Sequence, residues 1–155
     1  MIQRIQTLFL LIAVCLISIL LFLPLSTIAT SDTQYLLQAD GLINTMKDNQ
    51  TELVSWPLFI MICVMILVPF IAIFLFKKRM LQIRVLIFSS VLNALFYGLF
   101  FFEVSSLLKA LPGAQVSYAW ILVCPAVAIV LNILAIRKIG QDEMLIRSLN
   151  SNRIR

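Results

Sequence analysis

VSWPLFIMICVMILVPFIAIFLFKKR, residues 54–79, is the stretch that decides the fold. It has no charged residue before position 77, and its last three residues are all basic. A run of about 20 apolar residues is long enough to cross the hydrocarbon core of a bilayer as an α-helix. Basic residues directly after such a run are typical of a helix that ends at the cytoplasmic face. The stretch therefore predicts a transmembrane helix over residues 54–76.

The start and the middle of this helix carry signals of their own. Ser55 suits an N-cap, and Pro57 fits the first turn, where its missing N–H costs no hydrogen bond. Trp56 suits the aromatic belt at a membrane interface. Pro69 lies inside the run and predicts a kink, because it removes a backbone donor and crowds the preceding turn.

Three further apolar runs predict transmembrane helices, at residues 8–25, 85–108 and 118–136. Of the 155 residues of the chain, 62% are hydrophobic and 12% are charged, and the mean hydropathy is +1.06. A soluble domain is about half apolar and about a quarter charged, so this excess of apolar residues needs lipid as its solvent. The predicted fold is an all-α antiparallel bundle of four transmembrane helices, without room for a separate soluble domain.

Two polar segments lie outside the predicted helices. The transmembrane domain, residues 1–139, includes an outer loop at 26–53, whose scattered apolar residues favour a short amphipathic helix on the membrane surface. Residues 140–155 form a short cytoplasmic tail, which either lies on the membrane surface or docks on a partner. The first apolar run begins like a secretory signal, but it exceeds the roughly 7–15 residues of a signal's apolar region, which favours a retained span.

Lysine and arginine are distributed unequally between the two sides of this four-span arrangement. One side holds Arg4, Lys77, Lys78, Arg79, Arg84, Arg137, Lys138, Arg147, Arg153 and Arg155. The other side holds only Lys47 and Lys109. By the positive-inside rule the first side is cytoplasmic, so both chain ends lie in the cytoplasm and Trp56 and Trp120 anchor the outer interface. Basic clusters at the ends of apolar runs also argue against nucleic acid as a partner, despite the net charge of +5.

Polar residues inside the spans are the candidate functional residues, since a polar group at membrane depth is costly. In the third helix a polar stripe at helical spacing consists of Gln82, Ser89, Ser90, Asn93 and Tyr97. In the fourth helix Asn132 continues a stripe of small residues formed by Cys124, Ala128 and Ala135, which lets two helices approach closely. Two interpretations stay open: the amides lock the helices together, or they line a polar path or a pocket for a lipid or quinone head group.

Glu103 is the only acidic residue inside a predicted span. It lies close to the outer end of the third helix, so it reaches the interface or pairs with Lys109, or else it acts as a proton-coupled carboxylate. The second role is weakened because no other carboxylate lies at membrane depth to form a relay with it.

Nothing in the sequence assembles a catalytic or metal-binding set. Histidine is absent, and Cys15, Cys63 and Cys124 all lie inside apolar runs without a C-x-x-C pair. No nucleophile with an adjacent base can be identified. The sequence therefore predicts a protein that is not an enzyme and has no cofactor.

The two ends of the chain carry a family resemblance. The opening Met1-Ile2-Gln3-Arg4-Ile5-Gln6-Thr7 runs straight into the first span, and the fourth span ends in Ala135-Ile136-Arg137-Lys138, followed by Asp142-Glu143. With the closing Arg153-Ile154-Arg155, the length and the four spans, the chain resembles a bacterial family of small membrane proteins known only as a domain of unknown function. The resemblance implies a bacterial inner membrane and brings no substrate or catalytic residue.

The function predicted first is a non-enzymatic accessory or scaffold subunit of a membrane complex. Its partners are then the lipid bilayer and another membrane protein or a second copy of the chain. The alternative is a small transporter or a lipid- or quinone-binding protein that uses Asn93, Asn132 and Glu103.

Overall fold

The computed structural model describes residues 3–30, 33–45, 50–110 and 113–152. Within these ranges the chain forms four α-helices and five short β-strands, and four of the strands follow one another between the first two helices. The helices are α1 (Gln3–Ile19), α2 (Trp56–Phe74), α3 (Arg79–Ala110) and α4 (Cys124–Asn152). The strands are β1 (Ser26–Ala29), β2 (Gln34–Gln38), β3 (Gly41–Asn44), β4 (Gln50–Val54) and β5 (Gln115–Tyr118). Single 3-10 turns precede α3, at Leu75–Lys77, and α4, at Trp120–Val123.

The four helices pack side by side in chain order, with α1 against α2 and α4, and α3 against the same two neighbours. Three segments are long and apolar enough to cross a membrane: Trp56–Phe74, Arg79–Ala110 and Trp120–Asp142. The apolar part of α1, Thr7–Ile19, is shorter than the other three. After α1 the polypeptide continues through the apolar turn residues Leu20–Leu23 before β1 begins.

Two helices extend beyond the apolar runs that predicted them. α3 has 32 residues, which at about 1.5 Å per residue is longer than the roughly 30 Å hydrocarbon core. α4 has 29 residues and continues without a break through residues 140–152. The residues predicted as a separate tail are therefore the last turns of α4, as far as Asn152.

The main departure from the predicted fold is a five-stranded antiparallel sheet in the order β4-β3-β2-β1-β5. The prediction of an all-α protein, with a short surface helix in the outer loop 26–53, is wrong in this respect. The loop folds as strands β1 to β4, and β5 joins them from the connection between α3 and α4. In β1 the burial of side chains repeats every two residues: Ser26 and Ile28 are buried, and Thr27 and Ala29 are half-buried. This period is that of a strand and not of a helix.

The sheet lies at one end of the helix bundle and shares a core with it. α1 and α3 end beside it, and α2 and α4 begin beside it. Ile28, Leu37 and Leu42 of the sheet belong to the same buried cluster as Leu58 of α2 and Phe100 of α3. Because one sheet face is buried on the helices, the sheet and the bundle form a single packed unit.

A second buried cluster holds the other end of the bundle together. It joins all four helices through Leu10, Ala72, Leu86, Ala135 and Ile139. Between the two ends the outward surface of every helix is apolar, including that of α1, where Leu8, Leu11 and Ile12 are exposed. An apolar surface around a whole bundle is the arrangement expected of helices surrounded by lipid.

Candidate functional site

A buried polar layer lies inside the bundle between α3 and α4. Ser89, Asn93 and Asn132 are each fully buried. The Asn132 Nδ2 donates to the Ser89 Oγ at 3.1 Å, which links the two helices. The Asn93 Nδ2 donates to the Ser89 backbone carbonyl at 2.7 Å, one turn earlier in its own helix. Ser89 is thus the shared partner of both amides.

The amides of this layer are only partly satisfied. The Oδ1 atoms of Asn93 and Asn132 are both buried and have no hydrogen-bond partner. An unsatisfied buried acceptor costs about 1–3 kcal/mol. The layer could therefore accept hydrogen bonds from a ligand or water molecule that supplies donors.

Tyr97 occupies an unusual position at the start of α4. Its hydroxyl donates to the Leu122 carbonyl at 2.6 Å and accepts from the Ala126 N–H at 3.1 Å. In an uninterrupted α-helix this N–H and this carbonyl, four residues apart, would bond to each other. The Tyr97 hydroxyl therefore takes the place of one backbone hydrogen bond where the 3-10 turn Trp120–Val123 meets α4.

Gln82 joins the ends of α2 and α3. Its side chain is 4% exposed, and its Nε2 donates to the Ala72 carbonyl at 3.1 Å. That carbonyl also accepts from the Leu75 N–H at the C-terminus of α2. A carbonyl oxygen has two lone pairs, so Gln82 adds a second bond to the same carbonyl and ties α3 to the last turn of α2.

The other residues of the predicted stripes also face inward. Ala128 and Ala135 of α4 are fully buried, and Ser90 is half-buried and donates to the Leu86 carbonyl of its own helix at 3.0 Å. Cys124 is half-buried at the first turn of α4. The periodicity of α3 and α4 in the sequence thus identified the sides that meet in the structure.

Glu103 lies apart from this polar layer. It is half-buried near the sheet end of α3, whereas Lys109 is exposed. Six helical residues turn the chain through about 600°, so the two side chains leave α3 about 120° apart. The pairing of Glu103 with Lys109, one of the alternatives predicted for this acid, stays a prediction.

The predicted topology-setting residues cluster at the end of the bundle remote from the sheet. Lys78, Arg84, Arg137 and Lys138 are exposed, and Arg79 is half-buried. The described side chains do not include Arg4, Lys77 or Arg147, and Lys47, Arg153 and Arg155 lie outside the described residues.

The two predicted interface anchors lie at the opposite end, beside the sheet. Trp120 is 92% exposed and Trp56 is 65% exposed, each at the start of a helical segment. The N-cap predicted at Ser55 is in place, but its hydroxyl makes no capping hydrogen bond. Pro69 is buried inside α2, which continues to Phe74, and the kink predicted there stays a prediction.

The remaining features are an apolar groove and dispersed ionisable groups. The groove runs along the outside of α2 and is lined by Phe59, Ile60, Cys63, Val64 and Leu67. Within the described ranges, no three side chains of His, Cys, Asp and Glu come together as metal ligands would.

The fold and these sites define a small helical domain with membrane-compatible helices and an antiparallel sheet at one end. The chain belongs to the family "Domain of unknown function (DUF4293)", whose model matches residues 2–154. This confirms the predicted membership of a domain family without an assigned function. No curated protein matches the chain.

Proposed function

We propose that this protein is a four-span protein of the bacterial inner membrane that serves as a non-enzymatic accessory or scaffold subunit of a membrane complex. Both chain ends lie in the cytoplasm, and the sheet lies on the outer side. The described basic residues at the end remote from the sheet, together with the exposed tryptophans beside the sheet, support this orientation.

The first helix is the shortest of the four, and three features support its crossing of the membrane. Leu10, Ala13 and Ile17 form a buried stripe against the bundle, while Leu8 and Leu11 face outward. α1 also contacts α2 and α4 along the bundle. A helix that is apolar on all sides and packed between two spans has no stable position in water.

The outward face of the sheet is the observation that carries the accessory role. Thr27, Leu36 and Ile43 are paired neighbours on three adjacent strands and are half-buried, while their strand neighbours face the core. Antiparallel sheets that cover a core usually present polar residues to water. This row holds two aliphatic side chains and no charge, on a sheet packed onto the bundle, and suits a partner protein better than bulk water.

Copurification from native membranes in mild detergent tests this role, with an affinity tag linked to the C-terminus. Wild-type protein should retain a stoichiometric partner, which the double variant Leu36→Lys, Ile43→Lys should lose while keeping its own abundance. The matched control, Gln141→Lys with Met144→Lys, adds the same charge at exposed positions of α4, at the end of the bundle remote from the sheet, and should keep the partner. A wild-type protein that purifies as a monomer with no partner contradicts the proposal.

The second candidate is a transporter or a lipid- or quinone-binding protein, favoured by the unpartnered Oδ1 atoms of Asn93 and Asn132. Replacing Asn93 by Leu should then abolish the cellular phenotype of the protein at normal abundance, and Glu103→Gln tests whether the acid takes part. The control is Ser90→Ala, which removes a hydroxyl bonded only within its own helix. An unchanged phenotype with Asn93→Leu counts against this candidate.

A further inference from the structure

The guanidinium group of Arg79 lacks an acceptor for a buried donor. Arg79 is the first residue of α3 and follows the turn that connects α2 to α3. The residue is half-buried, yet its Nη1 atom is completely covered and has no hydrogen-bond partner. It is the only cationic group with such an atom among the described residues.

A covered, unpaired guanidinium nitrogen is costly. The positive charge of an arginine is spread over its guanidinium group, and each N–H of that group needs an acceptor. The Nη1 N–H groups lose their hydration where the protein covers them, and the described chain offers no acceptor in its place. An acceptor at the surface that draws the guanidinium group out of this covered position would remove the cost.

The surroundings of Arg79 favour an anionic acceptor. Lys78 precedes it and Arg84 follows it, both exposed, and Arg137 and Lys138 are exposed on α4. At this end of the bundle α3 and α4 are held together by the buried cluster that contains Leu86 and Ala135. The acidic residues of the described ranges at this end are Asp142 and Glu143 of α4. The five basic residues outnumber them, so this end keeps an excess of positive charge.

The backbone at the start of α3 also favours an anionic ligand. The Lys78 carbonyl accepts the N–H groups of Leu81 and Gln82, both at 3.0 Å, so α3 begins directly at Arg79. The positive end of the helix dipole therefore lies beside the guanidinium group. Gln82 holds this end against α2 through its bond to Ala72, which keeps the site in place.

We propose that Arg79 binds the phosphate of an anionic phospholipid at the α2–α3 turn, with Lys78 and Arg84 supplying further positive charge. Lipid phosphates lie at the depth where the apolar parts of α2 and α3 end, and guanidinium groups bind phosphate through paired hydrogen bonds. The site follows from the membrane placement of the chain and does not depend on an accessory role or on the side of the bilayer. Free phosphate shares the chemistry, so the test distinguishes the two sources.

Native mass spectrometry of the full chain, released from a mixture of phosphatidylglycerol and phosphatidylcholine, tests the site. Wild-type protein should retain one phosphatidylglycerol per chain, and Arg79→Gln should bind it about ten-fold more weakly, the effect of losing a charge-assisted hydrogen bond. The control Lys109→Gln removes an exposed cation at the other end of α3 and should bind as wild type does.

Three results would overturn the proposal: equal retention by Arg79→Gln and wild type, equal loss in Arg79→Gln and Lys109→Gln, or displacement of the lipid by millimolar inorganic phosphate. If Arg79→Gln does not fold, Arg79→Lys and Lys78→Gln replace it. Arg79→Lys loses the paired geometry and Lys78→Gln loses a neighbouring charge, so each should weaken binding several-fold. Binding unchanged in both variants also overturns the proposal.

Discussion

At the scale of single residues, Tyr97 shows how one hydroxyl can serve two helices. Its oxygen lies between the Leu122 carbonyl and the Ala126 N–H, so α3 contributes a hydrogen-bonding group to the first turn of α4. Pro125, at that turn, has no N–H and cannot help to close it. The hydroxyl therefore satisfies backbone groups in the one part of α4 where the regular pattern of hydrogen bonds begins late.

Replacing Tyr97 by Phe should destabilise the protein by about 1 kcal/mol. Two hydrogen bonds are lost, but the freed N–H and carbonyl can bond to each other once the hydroxyl no longer lies between them, which limits the cost. The measurement is the free energy of unfolding in a denaturant titration of the purified protein in detergent. The control Tyr118→Phe removes a hydroxyl from a half-exposed ring and should be neutral. Equal effects of the two substitutions would contradict the role of the Tyr97 hydroxyl as a hydrogen-bonding group between the two backbone groups of α4.

At the scale of elements, the β-sheet is held by one face. Leu37 is 1% exposed and packs in the cluster that continues into the helices, whereas its neighbour Leu36 points away and is half-buried. Burial also alternates along β1, and in β3 Leu42 and Asn44 are buried while Ile43 between them is half-buried. A single residue of slip in register would turn the apolar side chains away from the bundle, so the register is strongly specified.

Leu37→Ala should destabilise the protein by about 2–4 kcal/mol, whereas Leu36→Ala should cost less than about 1 kcal/mol. The two substitutions remove the same atoms from adjacent positions of β2, so the difference measures packing of the sheet on the bundle. Thermal unfolding in detergent, followed by circular dichroism, gives both values. Similar losses for the two variants would mean that the sheet is not packed on the helices through this face.

At the scale of the whole molecule, charge and packing agree on one arrangement. The exposed basic residues lie at one end of the bundle and the exposed tryptophans and the sheet at the other. Between Arg84 and Glu103 the long helix α3 carries no charge, which leaves about 27 Å of apolar helix, close to the thickness of the hydrocarbon core. The molecule therefore has two chemically different ends separated by one membrane thickness.

Cysteine labelling tests the four-span topology proposed above. In a cysteine-free background, Ser117→Cys on the sheet should react with a membrane-impermeant maleimide in intact cells. Gln3→Cys and Lys138→Cys should react only after the inner membrane is permeabilised, because both positions lie at the basic end. Labelling of Gln3→Cys in intact cells would show that α1 does not cross the membrane. Labelling of Lys138→Cys in intact cells would show that the protein has the opposite orientation.

The sequence alone determined where the helices lie and which sides of them meet. Long apolar runs ended by basic residues identify membrane helices because lipid excludes charge over a fixed thickness. Helical periodicity was enough to place Ser89, Asn93 and Asn132 in the interior, since each polar group at that depth must turn from lipid to protein. One local signal went unused: Asp40-Gly41 between two apolar strands is a strong hairpin signal and could have predicted β2 and β3.

Only the tertiary structure decided the remaining features, because each depends on residues distant in the sequence. β5 pairs with β1 although more than 80 residues separate them, and no local pattern encodes such a pairing. The same holds for Tyr97, whose partners lie about 25 residues later in another helix, and for Arg79, whose covered nitrogen depends on how the bundle end packs. Composition and periodicity act along the chain, whereas hydrogen-bond partners and buried charges are set by elements that meet only after folding.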